Sequence, residues 1–378
     1  MFLRRLVKLE TIQNKIFDNF LKNTQKRNFR KFSTSYHYDL PRQNIKQICA
    51  ISQDIVNDIN KINLCTDFSD FKTRMINLME YPSKVGNLEP IHTLLMAYKV
   101  LEKTENLTDE KLKLAHWLGC LTEMIQGALF MQRDAIDNTT TRSNTKTWHT
   151  DTTYCFQTPN DAVLLEHSIF ILLKTHFSKH RNYIKILDLF HQTFYDSLQG
   201  HNLELVNKTV ENFDMNLLKN IAKYKIASNS CSLPVISAWY LTDDQKLREF
   251  MEVENILIDI GLFKKVEADY LDSFDKSPIN LNTRLGLCSW LAIKSLEKGS
   301  GNQKRVLLEH YGKPDHVSIN RINNLYRDLN MPAEFEDFKN ENYEYVNKKI
   351  EKIKDELMKK CLSKVANSFF RLKPVNFI

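Results

Sequence analysis

The chain has 378 residues, 42% of them apolar, with only 9 Gly and 9 Pro, so it can bury a large core with few interruptions to its helices. Its formal net charge of +7 invites a nucleic-acid reading, yet Met1 to Ser35 holds nine Lys/Arg against Glu10 and Asp18, which accounts for the whole excess and leaves no support for a general basic patch. Seven scattered cysteines without a CxxC pair fit a reducing interior better than a disulfide framework.

In chain order, the first element is a basic segment in which Arg4, Arg5, Lys8 and Lys15 interleave with Leu3, Leu6, Leu9 and Ile12, ending in Phe32-Ser33-Thr34-Ser35. It resembles a mitochondrial transit peptide over 1–35, which places the protein in mitochondria; an amphipathic helix or basic tail of a cytoplasmic protein is the other reading. From about Pro41 to the end at 378 the periodicity is helical, as one domain. Breaks are expected at Tyr81-Pro82-Ser83, Thr158-Pro159-Asn160, Gln199-Gly200, Lys276-Ser277-Pro278, Gly299-Ser300-Gly301 and Met331-Pro332. Ile184, Leu187, Phe190 and Phe194 form one apolar stripe, and Ile256, Leu257, Ile260 and Phe263 another. The charged run from Asn347 to Lys360 reads as a solvated helix face. No run approaches the ~18 apolar residues of a membrane span, and no alternation of period two is convincing.

Two helical segments carry the chemistry. Asp134 with Asp137 and Asp269 with Asp272 are each three apart, so each pair lies on nearly one helix face. Two such faces turned toward each other can hold magnesium against a diphosphate; an isolated acid pair on a helix is more often a solvated face. His176 and His180 have zinc-pair spacing without further ligands and read as surface residues. Asn138-Thr139-Thr140 matches a glycosylation acceptor only formally. There is no glycine-rich phosphate loop and no nucleophile elbow.

Further sequence matches, KYK at Lys223 to Lys225, Leu233-Pro234, DYLD at Asp269 to Asp272, CSWL at Cys288 to Leu291 and EHYGKPD at Glu309 to Asp315, fall in order along the chain. From about Tyr81 to Asn340 the sequence resembles the insect farnesyl diphosphate synthase family. The resemblance implies an all-α bundle of mostly antiparallel helices around a deep apolar cavity, a homodimer, and two DDxxD motifs that bind three magnesium ions and an allylic diphosphate. It implies magnesium ligation by Asp134, Asp137, Asp269 and Asp272, and a diphosphate grip by Arg142 and Lys225. Gln126, Ala128 and Leu129 are the remaining expected substrate contacts.

The departures are specific. Both motifs lack their first aspartate: Arg133 and Ala268 stand there. Arg133 can fork onto a phosphate, or pair with a local carboxylate instead; Lys225 can likewise simply cover a helix end. The GGKxxR segment that would bind isopentenyl diphosphate becomes Val85-Gly86-Asn87-Leu88-Glu89-Pro90, and the TRR sequence becomes Thr141-Arg142-Ser143. Three cationic contacts to a second diphosphate are lost, each worth about 1.5–3 kcal/mol. Ala128 and Leu129 replace the bulky residues that stop chain growth and deepen the cavity, and Ser228, Asn229, Cys231 and Ser232 reshape its wall. Gly200-His201 and Glu204 replace GQxxD, and Lys265 replaces a glutamine.

Three functions follow. The first is a terpene synthase that ionises a prenyl diphosphate, farnesyl diphosphate foremost, and closes the cation to a sesquiterpene. The second is a prenyltransferase in which Lys84, Arg371 or Lys373 replaces the lost cations. The third is a non-catalytic paralogue.

Overall fold

The computed structural model describes residues 42–62, 69–143, 145–151, 155–242, 250–275 and 279–370. The basic segment 1–35, Lys276-Ser277-Pro278, Arg371 and Lys373 lie outside them. The described chain is helical apart from short turns and a two-stranded hairpin, β1 Thr141–Arg142 and β2 Thr145–Lys146, in which Thr141 faces Lys146. No described helix is long and apolar enough to cross a membrane.

At the centre runs α4, Asp109–Ile136. Thr108 starts it by accepting the Lys111 N–H, with Asp109 and Glu110 set against the helix dipole. Every residue from Ala115 to Leu129 is buried, so this stretch of the helix has neighbours on all sides and no solvent face. Around it pack α1 (Arg42–Ile62), α2 (Ser69–Val85), α3 (Glu89–Leu101), α5 (Thr158–Phe177), α6 (Tyr183–Val206) and α8 (Leu233–Leu241). The second motif lies on α9, Phe250–Phe274, which is backed by α14 (Met331–Ile350) and α15 (Glu356–Phe370). Ile256, Leu257, Ile260 and Phe263 are buried on α9 as the periodicity requires.

Four sequence expectations need correction. Pro82 does not break α2; it sits in the last turn, where a side chain at Gly127 would collide with it, and the helix ends at Val85. Gly200 does not break α6 either. It marks a close approach, because a Cβ there would collide with the backbone of Lys225. The stripe on α6 begins at Ile186, since Ile184 is 61% exposed. The run 347–360 is no single helix face: α14 ends at Ile350 and α15 begins at Glu356, with Ile350, Ile353 and Met358 buried.

Between α7 (Met215–Ile221) and α8 the backbone forms a π-helix, Ala222–Ser232. It is clasped by α6 and α9 at two glycines: Gly200 admits Lys225, and Gly261 admits Ala227, whose Cβ would otherwise collide. The wide turn carries Lys225 into the space beneath the end of α4. π-helical turns recur at functional sites.

Candidate active site

The C-terminal end of α4 delivers Arg133, Asp134 and Asp137 to one point, and the hairpin folds back over it. Arg142 Nη2 donates to Asp134 Oδ1 at 2.6 Å, and its Nε donates to both carboxylate oxygens at 3.0 and 3.1 Å. The guanidinium also lies 4.1 Å over the Phe130 ring. Asp134 is fully buried, so this fork is its counter-charge. Tyr81 accepts the Trp148 N–H at 3.2 Å and Trp148 Nε1 donates to Asp161 at 2.8 Å, which pins the segment after the hairpin to α2 and α5.

Arg133 points inward, where its Nη2 donates to the Lys225 carbonyl at 3.1 Å. Burial lowers this guanidinium to about 10, and it stays charged at neutral pH. Lys225 pairs with Glu204 of α6. Glu204 in turn lies 3.6 Å from Lys265 of α9, and Lys265 Nζ donates to Asp269 at 2.6 Å and to the Cys288 carbonyl at 3.2 Å. Burial opposes the charge on Glu204, but Lys225 and Lys265 outweigh it and hold the carboxyl at about 2. Burial likewise opposes the charge on Lys265, and Asp269 and Glu204 reverse that, raising it above the ordinary lysine value.

Arg133, Lys225, Glu204, Lys265 and Asp269 are thus linked in one buried chain from the end of α4 to α9, while Asp134 is tied to Arg142, and Asp137 and Asp272 are partly exposed and outside its hydrogen bonds. Glu204 and Lys265, noted in the sequence only as departures, are its central links. Two buried polar atoms at the α4 end of this network have no hydrogen-bond partner, Arg133 Nε and His201 Nε2, the latter facing Asp137 at 3.9 Å, and Gln126 Oε1, about two turns back along α4, is also unpartnered. Ala128 and Leu129 are fully buried on α4. Asn229, in the π-helix, donates to Ser197 at 3.1 Å and to the Lys225 carbonyl at 3.0 Å, so this polar stretch serves to hold Lys225.

Magnesium is implied for the four aspartates by the resemblance, and the arrangement does not fit a three-ion cluster. Asp134 is closed by Arg142. Asp269 accepts from Lys265, from Asn282 Nδ2 at 3.0 Å and from the Trp290 N–H at 2.9 Å. Asp272 accepts the backbone N–H groups of Leu281 and Asn282 at 2.8 and 2.9 Å, while burial raises it to about 6. Among the described residues no three His, Cys, Asp or Glu side chains converge as a metal site.

The second region lies where α2 passes into α3. Ser143 Oγ donates to the Val85 carbonyl at 2.8 Å, so the two segments expected to converge on a second diphosphate do meet, through a neutral hydrogen bond. Glu89 is fully buried and pairs with Lys264. Lys84 pairs with Glu80 at 3.0 Å. Glu123 accepts the Leu88 N–H at 3.2 Å and fills the space a side chain at Gly86 would need. A cavity of about 370 Å³ lined by Asp54, Asp58, Trp117 and His176 lies near the other end of α4, roughly 25 Å from Arg133 along the helix axis, and belongs to neither region. There His176 bonds Asp58 at 3.0 Å and stacks on Trp117, so it is partly buried and held between α1 and α4 where its spacing suggests a surface residue.

This all-helical fold is that of a solved T. brucei farnesyl diphosphate synthase complexed with risedronate: the two share a TM-score of 0.80 over 87% of this chain and 99% of that one, at 18% identity. The polyprenyl synthetase profile matches residues 87–329. Farnesyl pyrophosphate synthase 1 of Cannabis sativa is 33% identical over 287 residues, 74% of this chain and 84% of that one. The chloroplastic monoterpene synthase FDS-5 of Artemisia spiciformis is 29% identical over 313 residues, 79% of each chain. The chain belongs to the polyprenyl synthetase family and is an enzyme of that family.

Proposed function

We propose that the network ending α4 binds and ionises an allylic prenyl diphosphate, with Arg142 and Lys225 turning from Asp134 and Glu204 toward the leaving diphosphate and Arg133 stabilising it from beneath. The observation that carries this is the convergence of four cations, Arg133, Arg142, Lys225 and Lys265, with Asp134, Glu204 and Asp269 between the end of α4, α6 and α9. For the fate of the cation, the relatives' names support transfer to isopentenyl diphosphate better than cyclisation.

A specific observation favours the second reading, a terpene synthase converting farnesyl diphosphate to a sesquiterpene: at the second region a Ser143 to Val85 hydrogen bond and a buried Glu89 stand where three cations are expected. The dividing experiment incubates the protein with geranyl, farnesyl and geranylgeranyl diphosphate, with and without isopentenyl diphosphate, and with magnesium or a chelator. Elongation only with isopentenyl diphosphate supports prenyltransfer. A hydrocarbon or alcohol from one substrate alone supports the synthase, and silence throughout supports the non-catalytic paralogue.

Magnesium enters this proposal as a variable of the assay. Mitochondrial import through 1–35 is proposed on the composition of that segment, and a fluorescent fusion with and without it is the test. A homodimer is proposed on the exposed apolar Val163, Ile171, Ile184 and Tyr195 of α5 and α6, to be checked by sedimentation.

A further inference from the structure

The half of the site that carries the two aspartate motifs is short of carboxylates and rich in cations in a way that balances. Relative to the aspartate pattern the sequence resembles, Arg133 for aspartate adds two units of positive charge, Ala268 for aspartate adds one, and Lys265 for glutamine adds one. The total of four units is the charge of two divalent ions.

Geometry gives one of these charges a defined seat. The Lys265 ammonium is almost fully buried and meets oxygens from three parts of the fold: Asp269 on its own helix, Glu204 on α6 and the Cys288 carbonyl before α11 (Trp290–Lys298). It links carboxylates of two facing helices, as a bound cation between them would. Arg133 is equally fixed, held by the Lys225 carbonyl at the place of the other lost aspartate.

We infer that Lys265, with Arg133, is a built-in counter-cation that takes over the charge of bound metal in this site, so that a diphosphate is held with at most one divalent ion. Lys265 is a positioning residue: it acts by neutralising Glu204 and Asp269, which frees the charge of Lys225 and Arg133 for the ligand. The inference rests on the proposed prenyl-diphosphate site for the identity of its ligand, while the ion count does not depend on turnover.

The test counts manganese ions bound per full-length chain by electron paramagnetic resonance, with inorganic diphosphate as the probe. Calorimetry of diphosphate binding in chelator accompanies it. Wild type should bind no more than one manganese ion and should retain diphosphate in chelator. Lys265→Gln should gain at least one manganese ion and lose metal-free diphosphate affinity tenfold or more, and Lys265→Arg should behave as wild type. Ala268→Asp, at an exposed position that places no load on the fold, should also gain an ion, so the result stands if Lys265→Gln does not fold. Three manganese ions on the wild type, diphosphate binding only when metal is present, or unchanged ion counts in Ala268→Asp or Lys265→Gln would each overturn the inference. A failure of the prenyl-diphosphate reading shows separately, as absence of product from every prenyl substrate with these ion counts intact.

Discussion

The two halves of the site differ in what their charges face. At the end of α4, cations and carboxylates alternate, Arg142 with Asp134 and Lys225 with Glu204, Lys265 and Asp269, and Arg133 Nε and His201 Nε2 are unpartnered beside them. At the α2 to α3 passage the charges are paired by neighbouring side chains and, among the described residues, no cation faces open space for a ligand: Ser143 bonds Val85, Lys264 pairs with Glu89 and Lys84 with Glu80, while Glu123 Oε2 is unpartnered there as well. Both halves hang on the same helix, since Glu123 and Arg133 are both on α4. Departures from the pattern the sequence resembles fall in both halves, and they differ in kind: added cations in the first, lost cations in the second.

The largest effect is expected from breaking the first half. Arg142→Met leaves the fully buried Asp134 without its fork, which should cost about 3 kcal/mol in denaturant unfolding and lower turnover of an allylic diphosphate by at least about a hundredfold. A next test sharpens the role of α4 under the second half. Burial holds Glu123 at about 7 against 4.5 for an ordinary glutamate. Between those values it is protonated in the folded chain and ionised in the unfolded one, so its contribution falls by up to about 3 kcal/mol as pH rises from about 4.5 to 7. Melting curves of Glu123→Gln against pH should be flatter over that window than those of wild type.

Restoring charge to the second half should have a smaller effect. Ser143→Arg alone should tighten isopentenyl diphosphate by about 1.5–3 kcal/mol, read by calorimetry. Smallest of all, Lys84→Ala removes a half-exposed pair with Glu80 one turn away and should change stability by less than about 0.5 kcal/mol and leave product identity unaltered.

That Arg133, Asp134, Arg142, Lys225 and Asp269 belong together was legible only through the resemblance, because aspartates three apart on a helix are by themselves more often a solvated face. The all-α fold was legible from sustained helical periodicity and the stripe on α9. What escaped was made by contacts distant in sequence. Gly200 and Pro82 read as breakers because their local preference is known, while their partners, Lys225 and Gly127, become neighbours only after folding. The π-helix escaped for the same reason: nothing in Ala222–Ser232 announces an i to i+5 pattern, and the glycines that make room for it are on other helices. Lys265 was visible as a misplaced cation, but its links to Glu204 and Asp269 needed three dimensions.

The most direct test of the contrast between the halves is calorimetric titration of isopentenyl diphosphate into protein saturated with a non-hydrolysable allylic thiodiphosphate. The rebuilt second half predicts an affinity no better than about millimolar, improved by Ser143→Arg. Micromolar binding to the wild type would contradict it, because a second diphosphate would then have a charged seat at which this structure places a neutral hydrogen bond and a buried glutamate.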